Sequence, residues 1–246
     1  QLMYNAVDSI IVGKFVGEDA LAAVGSAYTL MVFLTSIILG LCMGSSAFFS
    51  MQYGAGNTER LKKSFFLSFV LIGAITLLLN LIVVWKLGLI IRLLQIPAEI
   101  QGLMKDYLWI IFMGLIATFL YNYFANLLRA VGNSMVPLIF LAFSAVLNII
   151  LDLVFVLIFH WGVKGAAGAT VFSQYVSGVG ILLYYYVKFP HLRVERCHMK
   201  WDSSILKEIT GLSVLTCMQQ SIMNLGILMV QGLVNSFGTA VMAAFA

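Results

Sequence analysis

Between Asp19 and Glu59 no residue carries a formal charge, and the stretch is rich in Leu, Ile, Phe, Met, Val and Ala. Comparable charge-free runs cover 64–85, 107–128, 165–187 and 209–246. An α-helix needs about 20 apolar residues to cross the hydrocarbon core of a bilayer, and these runs reach that length. A transmembrane barrel would instead need segments of about ten residues with alternating polarity, and none is visible. With 62% hydrophobic and 10% charged residues and a mean hydropathy of +1.02, a water-soluble globule is excluded. The fold class expected is an all-α polytopic membrane protein. The net charge of +4 does not point to nucleic acid, because the basic residues gather at helix ends, where they set membrane orientation.

Taken in order, the end of a first helix runs to Val16 and closes at Gly17. A second helix follows Glu18-Asp19 and stops at Gly54-Ala55-Gly56-Asn57, and a third is flanked by Arg60, Lys62 and Lys63 on one side and Lys86 and Arg92 on the other. Pro97 precedes a fourth helix expected as one span from Ala98 to Arg129. Pro137 fits the first turn of a fifth helix reaching His160, and a sixth runs from Gly165 to near Pro190. Residues 191–203 are the one stretch of mixed charge and read as an inter-bundle linker. After it, 209–246 holds a seventh helix, a turn at Gly238 and the beginning of an eighth. The expected organisation is a first six-helix bundle at 1–189, a linker at 190–203 and the beginning of a repeated second bundle at 204–246. FVGEDALAAVG at 15–25 aligns faintly with SFGTAVMAAFA at 236–246, as duplication would require. Because the chain opens inside a helix and stops inside an apolar run, it reads as a fragment. The basic residues favour the side holding the 54–63, 129–134 and 188–207 loops, which places those loops in the cytoplasm.

Only two acidic residues, Asp8 and Asp152, lie well inside apolar segments. A charge at the centre of a bilayer costs at least about 2.5–3.5 kcal/mol, so something must compensate for each. At about 1.5 Å rise per residue, Asp8 lies about 13 Å below the outer end of its helix, Asp152 about 12 Å, Thr170 about 8 Å and Tyr107 about 15 Å. Asn148 sits one turn from Asp152 on the same helical face. Four helices thus contribute polar groups to one layer. Asp8, Asn148, Asp152 and Thr170 form a candidate cation site, with Tyr107 associated: carboxylates, an amide oxygen and a hydroxyl can replace water around Na+, or two carboxyls can hold a proton between them. The plainer role for each is a hydrogen bond between helices, which is common for membrane Asn and Thr.

Other polar positions are weaker. Gln174 and Ser177 continue the Thr170 face, while Asn122, Asn126 and Arg129 share one face of the fourth helix. Gln219, Gln220 and Asn224 place amides in the seventh helix; with Gln174 they are candidates for a substrate cavity. Phe119, Tyr121, Tyr123 and Met223 would suit an adaptable hydrophobic wall, although ordinary packing explains most of them. Cys42, Cys197 and Cys217 show no metal-ligand spacing, and His160, His191 and His198 lie at helix ends or in the linker, none of them placed like a buried ligand.

The segments YNAVDSIIVGKFVGEDALAAVG (4–25), QYGAGNTERLKKS (52–64), LYNYFANLLRAVGNSMVPL (120–138), LNIILDLVF (147–155) and GVKGAAGAT (162–170) together resemble the multidrug and toxic compound extrusion (MATE) family of antiporters. The resemblance implies twelve helices in two lobes, of which this chain would hold most of the first and the start of the second. It implies export of amphiphilic, often cationic, compounds in exchange for H+ or Na+, and no enzymatic activity or cofactor. A monomer in the bacterial cytoplasmic membrane is expected, whose partners are drug-like molecules and lipid. The family's first-lobe cation site maps onto Asp8, Asn148, Asp152 and Thr170, and its associated tyrosine onto Tyr107. One branch also carries an acid in the seventh helix, which is absent between Ile209 and Ala246. Two other readings are a flippase for lipid-linked sugars or polyisoprenoids, which would want basic residues facing the cavity, and, remotely, an intramembrane aspartyl protease, whose Tyr-Asp and Gly-x-Gly-Asp contexts are missing around Asp8 and Asp152.

Overall fold

A computed structural model describes residues 2–94 and 96–237. All regular structure among them is helical. Helix α1 (Leu2–Phe15) turns at Gly17, whose φ of 123° an L-residue rarely adopts, into α2 (Glu18–Gly54). Glu18 and Asp19 occupy the first turn of α2, where the helix dipole favours negative charge. At 37 residues α2 is about 55 Å long, well beyond the hydrocarbon thickness of about 30 Å. The Asn57 side chain accepts from Arg60 N at 3.2 Å and so caps α3 (Thr58–Leu93).

The span expected as one helix from Ala98 to Arg129 is two helices, α4 (Ala98–Met113) and α5 (Leu115–Ala130), bent by 42°. Gly114 is the break. A Cβ there would meet Val171 Cγ2 at 2.9 Å and Gln174 Oε1 at 3.0 Å, so the glycine lets the corner press against a neighbouring helix. Helix α6 (Met135–Asp152) likewise does not continue as α-helix to His160. It passes into a π-helical turn, Leu153–Ile158, with Asp152 at the junction. Such turns rotate the following side chains relative to an α-helix and recur at functional sites.

Helix α7 (Gly162–Lys188) begins with the small residues Gly165, Ala166, Ala167 and Ala169. A Cβ on Gly165 would lie 3.1 Å from Phe155 Cβ, so these small residues bring α7 close to the π-turn. Two short 3-10 turns, Pro190–Leu192 and Arg196–His198, lead to α8 (Ser203–Asn235), capped by Asp202 Oδ1 accepting from Ser204 N and Ile205 N. Helix α8 packs along α2. Gly40 and Gly44 face the backbone of Cys217 and Ser213, Ser45 shares a 3.1 Å hydrogen bond with Ser213, and Thr29 donates to Gln231 Oε1 at 3.1 Å.

Among the described residues five helices, α2, α3, α6 with its π-turn, α7 and α8, are long and apolar enough to cross a membrane, and the bent α4–α5 pair makes a sixth. Leu77, Leu78, Leu81 and Trp85 of α3 and Ile139, Phe143, Val146 and Ile150 of α6 are exposed, forming the apolar outer face that lipid requires. The chain is an integral, multi-pass membrane protein. The expected Gly238 turn, the beginning of an eighth helix and nearly all of the second copy of the 15–25 repeat lie outside the described residues. His198, expected among unremarkable linker histidines, is buried.

Candidate functional site

Asp8 of α1, Asn148 and Asp152 of α6, and Thr170 of α7 are all buried and meet where these three helices converge. Asn148 Nδ2 donates to Thr170 Oγ1 at 3.3 Å. The single Thr170 hydroxyl proton is shared between Asp8 Oδ2 at 3.0 Å and the carbonyl of Ala166 at 3.1 Å. The Asp8 and Asp152 carboxyls are close enough to interact electrostatically, although neither oxygen of Asp152 has a hydrogen-bond partner among the described residues. Two carboxylates both lacking a proton would repel there, so their proximity is favourable only with a proton or a cation between them.

The unsatisfied atoms point the same way. Asp8 Oδ1, Asn148 Oδ1 and both oxygens of Asp152 are buried with no donor among the described residues. A buried acceptor without a partner costs about 1–3 kcal/mol, and more when charged. Here four of them cluster, all oxygens, the donor type that hard cations such as Na+ prefer. The arrangement can therefore coordinate a small cation or hold a proton, and losing either leaves it destabilised.

Tyr107 of α4 is buried close enough to interact electrostatically with both acids. It also lines a cleft of about 200 Å³ between α2, α4, α5, α7 and α8. Thr170 lines this cleft too, so one residue touches the acid cluster on one side and the cleft on the other. Among the amides expected in a substrate cavity, Gln174, Gln220 and Asn224 line the cleft, while Gln219 lies on an exposed face of α8. Gln174 Oε1 accepts from Thr118 Oγ1 at 3.1 Å, and Asn224 Nδ2 donates to Gln220 O at 2.9 Å.

Sequence reasoning missed the α2 wall, Tyr28, Met31, Thr35 and Ser36, and Thr118 of α5. The spacing of Tyr28 and Thr35, two turns apart in an uncharged helix, was the available signal. The Asn122 and Asn126 stripe turns inward on itself, each amide donating to the carbonyl four residues earlier at 2.8 Å. Phe119, Tyr121 and Tyr123 are packed core rather than cleft wall, and the Tyr123 hydroxyl donates to Phe65 O at 2.7 Å. Met223 is exposed.

The chain as a whole is similar to known proteins. Over 248 residues the chain is 31% identical to a probable multidrug resistance protein, YpnP, of Bacillus subtilis, aligning along its whole length with 55% of that relative. It is 27% identical to a probable multidrug resistance protein, NorM, of Thermotoga maritima, with 93% of the chain matched to 50% of the relative. The chain therefore spans about half the length of these relatives. In fold it is similar to the inward-facing conformation of a multidrug resistance MATE family transporter of the MOP superfamily, with a TM-score of 0.89 at 23% identity over 98% of this chain and 55% of that one. An outward-facing conformation of such a transporter superposes with a TM-score of 0.83 at 24% identity, over 89% of this chain and 49% of that one. The MatE family model matches residues 1–154, more than half of the sequence, and the chain belongs to the MatE family.

Proposed function

We propose that the chain forms most of the first lobe and the beginning of the second lobe of a secondary active multidrug efflux antiporter, which exports amphiphilic, often cationic compounds in exchange for H+ or Na+. Residues 1–189 are the first-lobe bundle, 190–203 the cytoplasmic linker, and 204–246 the start of the second lobe. The observation that carries this reading is the cluster of four donorless oxygens around Asp8 and Asp152, joined to the cleft through Thr170.

The cluster draws α1, α6 and α7 together only when a cation or proton offsets the two carboxylates. Entry of that cation from outside tightens these helices around Thr170, which forms part of the cleft wall. A substrate held in the cleft of the cation-free lobe then loses affinity and leaves outward. Exchange requires this unfavourable coupling: cation and drug must each weaken the other's binding. Among the described residues the cleft is lined by no basic side chain, whereas a flippase for phosphate-linked lipids would need one. The lining of Met31, Val32, Leu39 and Ile111 interspersed with hydroxyls and amides fits amphiphilic molecules better.

The test is drug efflux from cells expressing the two-lobe protein, wild type against Asp152→Asn, with Na+ and pH gradients collapsed separately and membrane levels matched. Loss of efflux in the variant supports the reading, and the gradient whose collapse stops the wild type names the ion. Normal export by Asp152→Asn overturns it.

A further inference from the structure

On the stretch between α7 and α8, Glu195, Cys197 and His198 bring a carboxylate oxygen, a thiol sulfur and an imidazole nitrogen within 4.8 Å of one another. The stretch is held in shape. His198 N donates to Glu195 O at 3.0 Å, and the Glu195 side chain and His198 ring complete a reciprocal cap on the 3-10 turn. Glu195 and Cys197 are exposed, while His198 is buried.

The His198 ring is bound from both sides. Its Nδ1 accepts from Glu195 N at 3.2 Å, so that nitrogen presents a lone pair and Nε2 carries the hydrogen. Nε2 lies 3.1 Å from Glu59 Oε2, at the start of α3, and donates to it. A histidine whose one N–H is held by a carboxylate ligates metals through its other ring nitrogen, and here that nitrogen's lone pair is taken up only by the Glu195 backbone N–H. One of the spacings already matches a metal centre. Zinc bonds of about 2.3 Å to sulfur and about 2.0–2.2 Å to nitrogen or oxygen, at tetrahedral angles, put ligand atoms about 3.3–3.6 Å apart. Here Cys197 Sγ is 3.4 Å from His198 Nδ1, 3.8 Å from its Nε2 and 3.9 Å from Glu195 Oε2, so the exposed thiol lies beside the ring and must turn toward the Nδ1 lone pair for one ion to bridge all three.

We propose that Cys197, His198 through Nδ1, and Glu195 form a binding site for a borderline-soft divalent cation of the Zn2+ type, with Glu59 orienting the imidazole. The thiolate and imidazole donors select this class over Mg2+ or Ca2+, which prefer oxygen alone. On binding, Cys197 gives its thiol proton to solvent, the metal replaces the Glu195 N–H contact at Nδ1, and the fourth position takes water. Since Glu59 belongs to α3, an occupied site would hold the inter-helix linker against the bundle.

The experiment is a titration of the purified, reduced protein with Co2+, read by absorption, followed by displacement with Zn2+. One equivalent should give a thiolate-to-metal charge-transfer band in the near ultraviolet with tetrahedral bands in the visible. Cys197→Ser should abolish the charge-transfer band although Cys42 and Cys217 remain, and Glu59→Gln should keep it while weakening affinity about 10–100-fold. No band at one equivalent, or a band that survives Cys197→Ser, overturns the site. Unchanged affinity in Glu59→Gln overturns the assignment of the ligating nitrogen.

Discussion

Replacing Gly40 with alanine tests the packing of α8 on α2. A Cβ at Gly40 would overlap Cys217 Cα and lie 2.8 Å from Cys217 N and 3.0 Å from Thr216 O, all backbone atoms that cannot rotate away. Restoring ordinary contact requires the two helices to part by about 1 Å, which loosens a close-packed seam along its length. Overpacking of this kind costs about 1–3 kcal/mol, against which the better helix propensity of alanine returns about 0.5–1 kcal/mol. The net prediction is destabilisation by about 1–2 kcal/mol. At Gly211 and Gly226 of α8 a Cβ would meet nothing within 4 Å among the described residues, so alanine there should stabilise by about 0.5–1 kcal/mol. Thermal unfolding of the purified protein in detergent, followed by tryptophan fluorescence, should therefore move in opposite directions for Gly40→Ala and Gly211→Ala. Because the clash is with backbone, Cys217→Gly should not rescue Gly40→Ala. Equal behaviour at Gly40 and Gly211, or rescue by Cys217→Gly, would refute the backbone-contact argument.

Thr29 and Gln231 join α2 to α8 away from that seam, and a double-mutant cycle of Thr29→Val with Gln231→Leu, read from the same melts, should give a coupling of about 0.6 kcal/mol and not above about 1.7. Thr170→Val keeps the shape of the side chain but leaves Asp8 Oδ2 and Asn148 Nδ2 without their partner, which should cost about 1–3 kcal/mol and weaken the stabilisation that added Na+ or acid gives the wild type.

The helices were legible because uncharged runs of spanning length leave few alternatives, and Gly17, Asn57 and Pro97 mark ends by turn and capping chemistry, while the Asp202 cap of α8 emerged only in the structure. The corner at Gly114 was not, since one glycine in an apolar run is tolerated; what bends the span there is the approach of Val171 and Gln174, more than fifty residues away in sequence. The π-turn after Asp152 has no signature in LVFVLI, and the small residues of α7 that lie against it come from a different part of the sequence. Asp8, Asn148, Asp152 and Thr170 could be grouped by depth because charge in lipid is costly enough to single out its carriers. Depth does not give rotation about a helix, which is why Gln219 and Gln220, adjacent in sequence and about 100° apart around α8, could not be separated until α2 was in place. The His198 environment was hidden for another reason: its orienting carboxylate, Glu59, comes from a helix 139 residues earlier.

The most direct measurement on the central proposal is drug affinity of the purified two-lobe protein, with and without the coupling cation, in wild type and Asp152→Asn. If Asp8 and Asp152 bind the cation that drives release, adding Na+ or lowering pH weakens drug binding in the wild type and leaves the variant unchanged. A cation effect on drug binding that persists undiminished in Asp152→Asn would contradict the account.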